Sequence, residues 1–213
     1  MPTISLIAFS VPERNIQLTL QPQHNVMKKI ILFFSLSITI VAAFAQSKYS
    51  PLDKSPMDMS YCPANYPILK IQNKATDPLI ARVIYGRPQK DGRVIFGALE
   101  PYNAVWRLGA NEATEIEFYK DVKIGSKKIK KGRYTLYALP TATMWTIIFN
   151  KETDTWGAFK YDSTKDIARV AIPVQKQAEV TEIFSIVFEK NTGNSANMLI
   201  AWDDVLVKLP LRW

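Results

Sequence analysis

Residues Trp106–Pro140 read WRLGANEATEIEFYKDVKIGSKKIKKGRYTLYALP, and this stretch decides the fold of the chain. In Thr114–Tyr119 apolar residues alternate with glutamates, and a period of two is typical of a half-buried β-strand. Arg133–Leu139 predicts a second strand, which Pro140 ends. The basic segment Lys127–Lys131 between them is predicted to lie on an exposed edge or loop, where lysines discourage edge-to-edge pairing.

Short strand-like runs continue on both sides of this stretch, separated by turns rich in Gly, Pro and Asn. After residue 45, apolar residues nowhere keep a helical period for as long as ten residues. The pattern predicts an all-β chain, with a single β-sandwich or jelly-roll-like domain over residues 68–213 and an irregular N-terminal arm over residues 46–67. The further predicted strands are Ile68–Gln72, Leu79–Tyr85, Met144–Phe149, Ile167–Val174, Val180–Glu189, and a closing hairpin of Met198–Trp202 and Val205–Leu211 around Asp203 and Asp204.

The segment Met27–Ala45 has the three parts of a secretory signal peptide: two lysines, the apolar run Ile30–Phe44 and a small-residue site that ends at Ala45. It predicts a signal helix, cleavage after Ala45, and a periplasmic or secreted mature protein. The apolar run is short for a membrane span of about 20 residues, so no stable span is predicted after cleavage. Residues 1–26 show no organisation and are predicted to be an over-extended start or disordered, with Met27 as the true initiator.

The scarce residue types exclude several chemistries. The only histidine, His24, precedes the predicted cleavage site, so the mature chain would lack Ser-His-Asp and Cys-His catalysis and histidine-ligated zinc. Because Cys62 is the only cysteine, an internal disulfide is excluded, and without a histidine to activate it we expect an unreactive thiol. Asp203 and Asp204 are adjacent and lack the ligand spacing of a calcium loop, so neither a metal nor another cofactor is predicted.

The formal net charge of the whole chain is +8. Such an excess favours acidic surfaces or polymers as partners. Because the sequence contains no recognisable nucleic-acid-binding motif, nucleic acid is not predicted to be among them.

The sharpest polar cluster lies between Arg107 and Glu112. A guanidinium and the Asn111 amide can donate hydrogen bonds, a carboxylate can accept them, and Gly109 allows a tight backbone course. One interpretation is a ligand-binding site. The other is structural: Arg107 pairs with Glu112, while Asn111 bonds its own backbone as turn residues often do. The predicted ligand-binding residues are Trp106, Arg107, Asn111, Glu112, Tyr85 and Arg87; no catalytic residue is assigned.

Three strings of residues are shared with a known family. They are G-R-x-I-F-G-x-L-x-P-Y-x-x-x-W-R-x-G-A-N-E-A-T at Gly92–Thr114, G-x-Y-x-L-Y-x-L-P at Gly132–Pro140 and W-x-I-I-F-N at Trp145–Asn150. Together they resemble the DUF2911 family, exported proteins common in Bacteroidetes whose function is not established. The resemblance covers most of residues 55–190 and implies export and a β-sandwich-like domain, but no catalytic residue. Lys131 stands where the family would have a small residue such as Ala.

Two functions from different classes fit these observations. The first is a non-catalytic envelope module that binds a carbohydrate or another envelope component, since sugars stack on aromatic rings while Arg, Asn and Glu bind their hydroxyls; the same rings could instead fill the core. The alternative is a glycosidase-like periplasmic hydrolase that uses Glu112 with Glu100 or Glu115, because such enzymes need two carboxyls about 5–10 Å apart. The aromatic residues that favour the first function are Trp106, Tyr134, Tyr137, Trp145 and Trp156.

Overall fold

The protein is built on an antiparallel sheet, seen in a computed structural model that describes residues 49–213. Within it, Leu52–Trp213 form one compact unit. The predictions for residues 1–26 and for the signal helix at residues 27–45 lie outside the described residues. The nine strands found in the described part are β1 (Met57–Cys62), β2 (Ala81–Gly86), β3 (Glu115–Phe118), β4 (Val122–Ile124), β5 (Lys127–Ile129), β6 (Gly132–Pro140), β7 (Met144–Asn150), β8 (Asp166–Lys190) and β9 (Ser195–Arg212). They follow the order β1-β2-β3-β6-β7-β8-β9-β4-β5.

The two strands predicted from the stretch Trp106–Pro140 are β3 and β6, and they pair directly, with Glu117 opposite Arg133. Ile116 and Phe118 are buried, while the glutamates beside them are half-buried, as the period of two predicts. The basic segment Lys127–Lys131 contains β5, which pairs with β4 in a hairpin and is the last strand of the sheet. The prediction of an exposed basic edge is therefore confirmed.

Strand β8 connects the two halves of the sheet. Its residues 166–173 pair with β7, and its residues 174–190 pair with β9. The chain thereby passes from the half that contains β1, β2, β3, β6 and β7 to the half that contains β9, β4 and β5. Both halves contribute to one hydrophobic core, as the two sheets of a sandwich do, and the all-β prediction is confirmed.

The centre of the core is a cluster of aromatic rings from both halves. Trp106 stacks on Trp202 of β9, with ring centroids 6.0 Å apart. Trp145 of β7 meets Trp106 edge-on at 5.6 Å, and Phe184 of β8 does so at 5.3 Å. Pairs of this kind contribute about 0.5–1.5 kcal/mol each beyond the area that they bury, so this cluster joins the two halves.

The N-terminal segment differs from the prediction. The arm over residues 46–67, predicted to be irregular, contains β1, which pairs along its whole length with β2. This first strand of the sheet has one neighbour and mostly exposed or half-buried side chains, so its sequence shows no clear period. The predicted strand Ile68–Gln72 is instead helix α1, Tyr66–Ile71, because Pro67 in its first turn favours a helix start. No helix in the described part of the chain is long and apolar enough to cross a membrane.

The C-terminal region contains two strands where four were predicted. Strand β9 continues through Asp203, although the φ of 55° at this residue is left-handed. Asp203 lies opposite Thr181, where the register of the pairing shifts, so the chain forms a bulge there rather than a turn. Its carboxylate lies 3.2 Å from Nζ of Lys90. Two predictions are therefore corrected. The predicted strands Ile167–Val174 and Val180–Glu189 are both parts of the single strand β8. The predicted hairpin of Met198–Trp202 and Val205–Leu211 is the single strand β9.

Candidate functional site

Of the residues predicted to bind a ligand, Trp106 lies in the core. Its side chain is 3% exposed, and its Nε1–H donates to the carbonyl of Gly109 at 3.2 Å. Its backbone pairs with Ala138 of β6 through hydrogen bonds in both directions. Trp106 therefore offers no ring face to a ligand, and it joins the polar segment to the sheet.

Tyr85 and Arg87 connect the end of β2 to β8. The Tyr85 hydroxyl donates to the carbonyl of Ile186 at 3.1 Å, and burial raises the pKa of this phenol. The Arg87 guanidinium donates to the Asp58 carboxylate at 2.9 Å and to the carbonyl of Phe184 at 3.2 Å. Because these donors already bind groups of the protein, Tyr85 and Arg87 connect the two halves of the sheet.

Arg107 does not pair with Glu112 in the described structure, contrary to the structural interpretation of the polar cluster. Its side chain makes no hydrogen bond or ion pair with another described residue, and its Nε is buried without a partner. Its charge instead acts on Glu100. Burial raises the pKa of Glu100 to about 7, and the positive charges of Arg107 and Arg93 oppose that rise.

Asn111 and Glu112 lie against a second loop, residues 154–157. The Gly157 N–H donates to the carbonyl of Asn111 at 3.0 Å, and the Ala113 N–H donates to the carbonyl of Thr155 at 3.0 Å. Between these two hydrogen bonds, the backbone of Glu112 forms an isolated antiparallel β-bridge with the backbone of Trp156. Asn111 adopts a φ of 61°, which Asn tolerates better than most residues. The polar segment thus holds the Trp156 loop rather than forming a site with Trp106.

An open groove lies beside this loop, with a volume of about 530 Å³. Two aromatic rings at the groove are largely in solvent: Trp156 is 61% exposed and Phe159 is 85% exposed. Lys160 makes no hydrogen bond or ion pair with another residue that the structure describes, whereas Lys165 pairs with Glu152. We call this surface the Trp156 groove; its lining includes Tyr137, Glu152, Trp156, Phe159, Lys160 and Lys165.

A smaller cavity of about 150 Å³ lies near the same loop and is lined by Glu112, Glu115 and Asp154, among others. Glu115 accepts a hydrogen bond from the Asp154 N–H at 2.6 Å and lies 3.5 Å from Nε of Arg133. Arg133 also binds the Asp154 carboxylate. Of the carboxyl pairs considered from the sequence, the structure thus brings Glu112 and Glu115 to one cavity, while Glu100 interacts with Arg107 and Arg93 instead.

Neither exposed ring is among the ligand-binding residues that the sequence predicts: Trp156 is one of the aromatic residues that favour binding in general, and Phe159 is not named at all. The available signal was the string Trp156-Gly157-Ala158-Phe159, in which a glycine separates two large rings. A Cβ atom at Gly157 would lie 2.7 Å from the Phe159 ring, so the glycine allows that ring to approach the backbone. Gly157 also has a φ of 66°, which favours glycine.

Comparisons with known proteins give one match. A family model described as a protein of unknown function (DUF2911) matches residues 69–211. No curated protein and no solved structure matches the chain. The matched segment runs from helix α1 to the end of β9 and makes up more than half of the chain. The chain therefore belongs to the DUF2911 family, proteins of unknown function.

Proposed function

We propose that the protein is a non-catalytic envelope module that binds a carbohydrate in the Trp156 groove. The observation that carries this proposal is the exposure of two large rings, Trp156 and Phe159, beside one groove. Exposed rings of this size leave apolar area in water, and a ligand that covers them removes that area from solvent. A sugar presents a C–H face to such a ring and hydroxyls around it.

The polar groups of the groove suit the hydroxyls of a sugar. Lys160 has free donors, since no described residue pairs with it. Glu152 accepts hydrogen bonds and is held by Lys165. Tyr137 and Thr155 both line the groove; their hydroxyls lie 3.2 Å apart and can exchange donor and acceptor roles. A volume of about 530 Å³ falls within the range of small-ligand sites, about 300–1,000 Å³.

The predicted signal peptide supports placing this function in the envelope. Met27–Ala45 carries the basic, apolar and small-residue parts of an export signal, which would bring the folded domain into contact with envelope glycans. Asn111 and Glu112, predicted to bind the ligand, support the site indirectly, through their backbone contacts to the Trp156 loop.

A glycan array followed by calorimetric titration tests the proposal. The purified protein should bind at least one glycan, and Trp156→Ala and Phe159→Ala should each weaken binding by about tenfold or more, because each removes a stacking face. Tyr102→Ala is the matched control, since Tyr102 is an exposed ring that does not line the groove. It should leave the dissociation constant within about twofold.

Two results would overturn the proposal. The first is an empty array together with empty pull-downs from envelope extracts. The second is a bound glycan whose affinity is the same for the wild type, Trp156→Ala and Phe159→Ala, which would place the site on another face.

A carboxylate-dependent, glycosidase-like hydrolase is the second candidate, because Glu112 and Glu115 line one cavity. Glycosidases use two carboxyls on opposite sides of the bond that they cleave. Glu115, however, already accepts a backbone hydrogen bond from Asp154 and faces Arg133, and the cavity of about 150 Å³ is small for a sugar. Release of reducing sugar by the wild type, abolished in Glu112→Gln, would favour the hydrolase over the binding module.

A further inference from the structure

Three cations lie in a row across three neighbouring strands. In the ladder between β4 and β5, Lys123 is directly opposite Lys128. In the pairing of β4 with β9, Lys123 is directly opposite Arg212. All three residues are exposed. Because neighbouring strands lie about 4.8 Å apart, this cation row extends over about 10 Å of the surface.

The cation row is unfavourable for the isolated protein, since like charges directly opposite each other destabilise a sheet. The side chains of Lys123 and Arg212 make no hydrogen bond or ion pair with any residue in the described part of the chain. Lys128 lies 3.6 Å from Asp121, which also pairs with Lys130 at 3.0 Å. One carboxylate, that of Asp121, is therefore shared by two lysines, while Lys123 and Arg212 have no carboxylate partner in the described part of the chain.

Protection of the sheet edge explains only part of this charge. Lysines on an edge strand discourage pairing with other chains, which accounts for Lys128 on β5. Lys123 and Arg212 lie on β4 and β9, strands that already have neighbours on both sides. Edge protection therefore does not account for the charges of Lys123 and Arg212.

The cation row borders a cavity of about 590 Å³ that Ser126 and Trp213 also line. This cavity shares no lining residue with the Trp156 groove. It offers three positive charges and a hydroxyl at spacings set by the strands, and Asp121 is the acidic residue in its lining. An extended anion with repeated charges matches this arrangement better than a single small anion does.

We propose that the cation row binds an acidic polysaccharide, a glycan chain that carries carboxylates along its length. Its carboxylates would complement the positive charges of Lys123 and Arg212, which have no acidic partner in the described part of the chain, and of Lys128, which shares Asp121 with Lys130. A membrane surface fits less well, because the apolar residues of the β4–β5 hairpin, Val122, Ile124 and Ile129, are buried and cannot insert into a bilayer. The proposal does not depend on ligand binding in the Trp156 groove.

Single-stranded nucleic acid also fits less well. Such ligands stack successive bases on aromatic side chains beside a basic groove. Trp213 is the aromatic residue in this lining, and Nζ of Lys190 already lies over its ring, 4.8 Å from the centroid.

The test uses polygalacturonate as the acidic polymer, with the purified protein at low and moderate salt. Replacing Lys123 and Arg212 together by glutamine should raise the dissociation constant at least tenfold and flatten its dependence on salt. The control replaces Lys70 and Lys74 by glutamine, which removes the same charge from exposed lysines elsewhere. The control and Trp156→Ala should both bind within about twofold of the wild type.

Thermal unfolding separates a ligand site from a structural role. Because the cation row is repulsive, the variant with Lys123→Gln and Arg212→Gln should unfold at a temperature equal to or above that of the wild type. A lower Tm would overturn the proposal, as would equal losses of affinity in the Lys70 and Lys74 control. Tighter binding to anionic vesicles or to single-stranded DNA than to polygalacturonate would assign the surface to another partner.

Discussion

A Cβ atom on Gly86 would lie 2.2 Å from the carbonyl oxygen of Ala110. The end of β2 and the polar segment thus touch backbone to backbone, and only a glycine at position 86 permits the contact. Ala110 precedes Asn111, whose carbonyl accepts the hydrogen bond from Gly157. The position of the Trp156 groove therefore depends on this close approach at the end of β2.

Substitution of Gly86 by alanine should destabilise the fold by about 2–4 kcal/mol, because two backbone segments must move apart. Denaturant unfolding measures the loss. Gly193→Ala is the matched control: its φ is 66° and a Cβ there meets nothing within 4 Å, so it should cost only about 1 kcal/mol, from backbone strain. Equal losses in both variants would contradict the steric explanation.

Truncation of Trp106 and of Trp156 should change the stability of the protein to very different extents. Trp106→Ala leaves a cavity in the aromatic cluster and should lower the free energy of unfolding by about 3–5 kcal/mol. Trp156 is 61% exposed, so Trp156→Ala should change stability by about 0.5 kcal/mol or less while weakening glycan binding. Urea titration of both variants checks this, and a large loss in Trp156→Ala would show a structural role for that ring.

Glu100 should make stability depend on pH. Burial raises its pKa from 4.5 to about 7 in the folded protein, so the folded state holds a proton that the unfolded state releases. Stability contributed by the neutral carboxyl is present at low pH and is lost as pH rises from 4.5 through about 7. Relative to Glu100→Gln, the wild type should lose at most on the order of 3 kcal/mol across this window.

Urea unfolding of the wild type and Glu100→Gln at several pH values measures this difference. Parallel stability curves for the two proteins would contradict the prediction. As a second check, Arg107→Gln removes a positive charge that opposes the shift, so the pKa of Glu100 measured by NMR should rise further.

Cys62 should be unreactive in the folded protein. The thiol is buried at the end of β1, and burial raises its pKa to about 11, so it is protonated and shielded at neutral pH. A disulfide reagent should label no thiol in native buffer and the single thiol of the chain after unfolding in guanidinium. Rapid labelling of the native protein would instead show an accessible thiolate.

Local residue patterns predicted the parts of the fold in which burial alternates along the chain. The alternation in Thr114–Tyr119 and the run Arg133–Leu139 predicted β3 and β6, since each strand has one face in the core. The lysines of residues 127–131 likewise predicted an exposed edge. The three shared strings predicted the family, which the match over residues 69–211 shows.

Only the tertiary structure decided how long the strands are and what the aromatic residues do. β8 and β9 run through positions that resemble turns, because hydrogen bonds to a neighbouring strand stabilise extended backbone even around the bulge at Asp203. Trp106 and Trp156 are the same residue type, but their surroundings in the fold differ. One is covered by Trp145 and Trp202 from distant strands, while the other is left in solvent. The sequence determined an all-β chain and its family; long-range packing, which no local pattern encodes, decided that Trp106 is buried in the core and that Trp156 is exposed beside a groove.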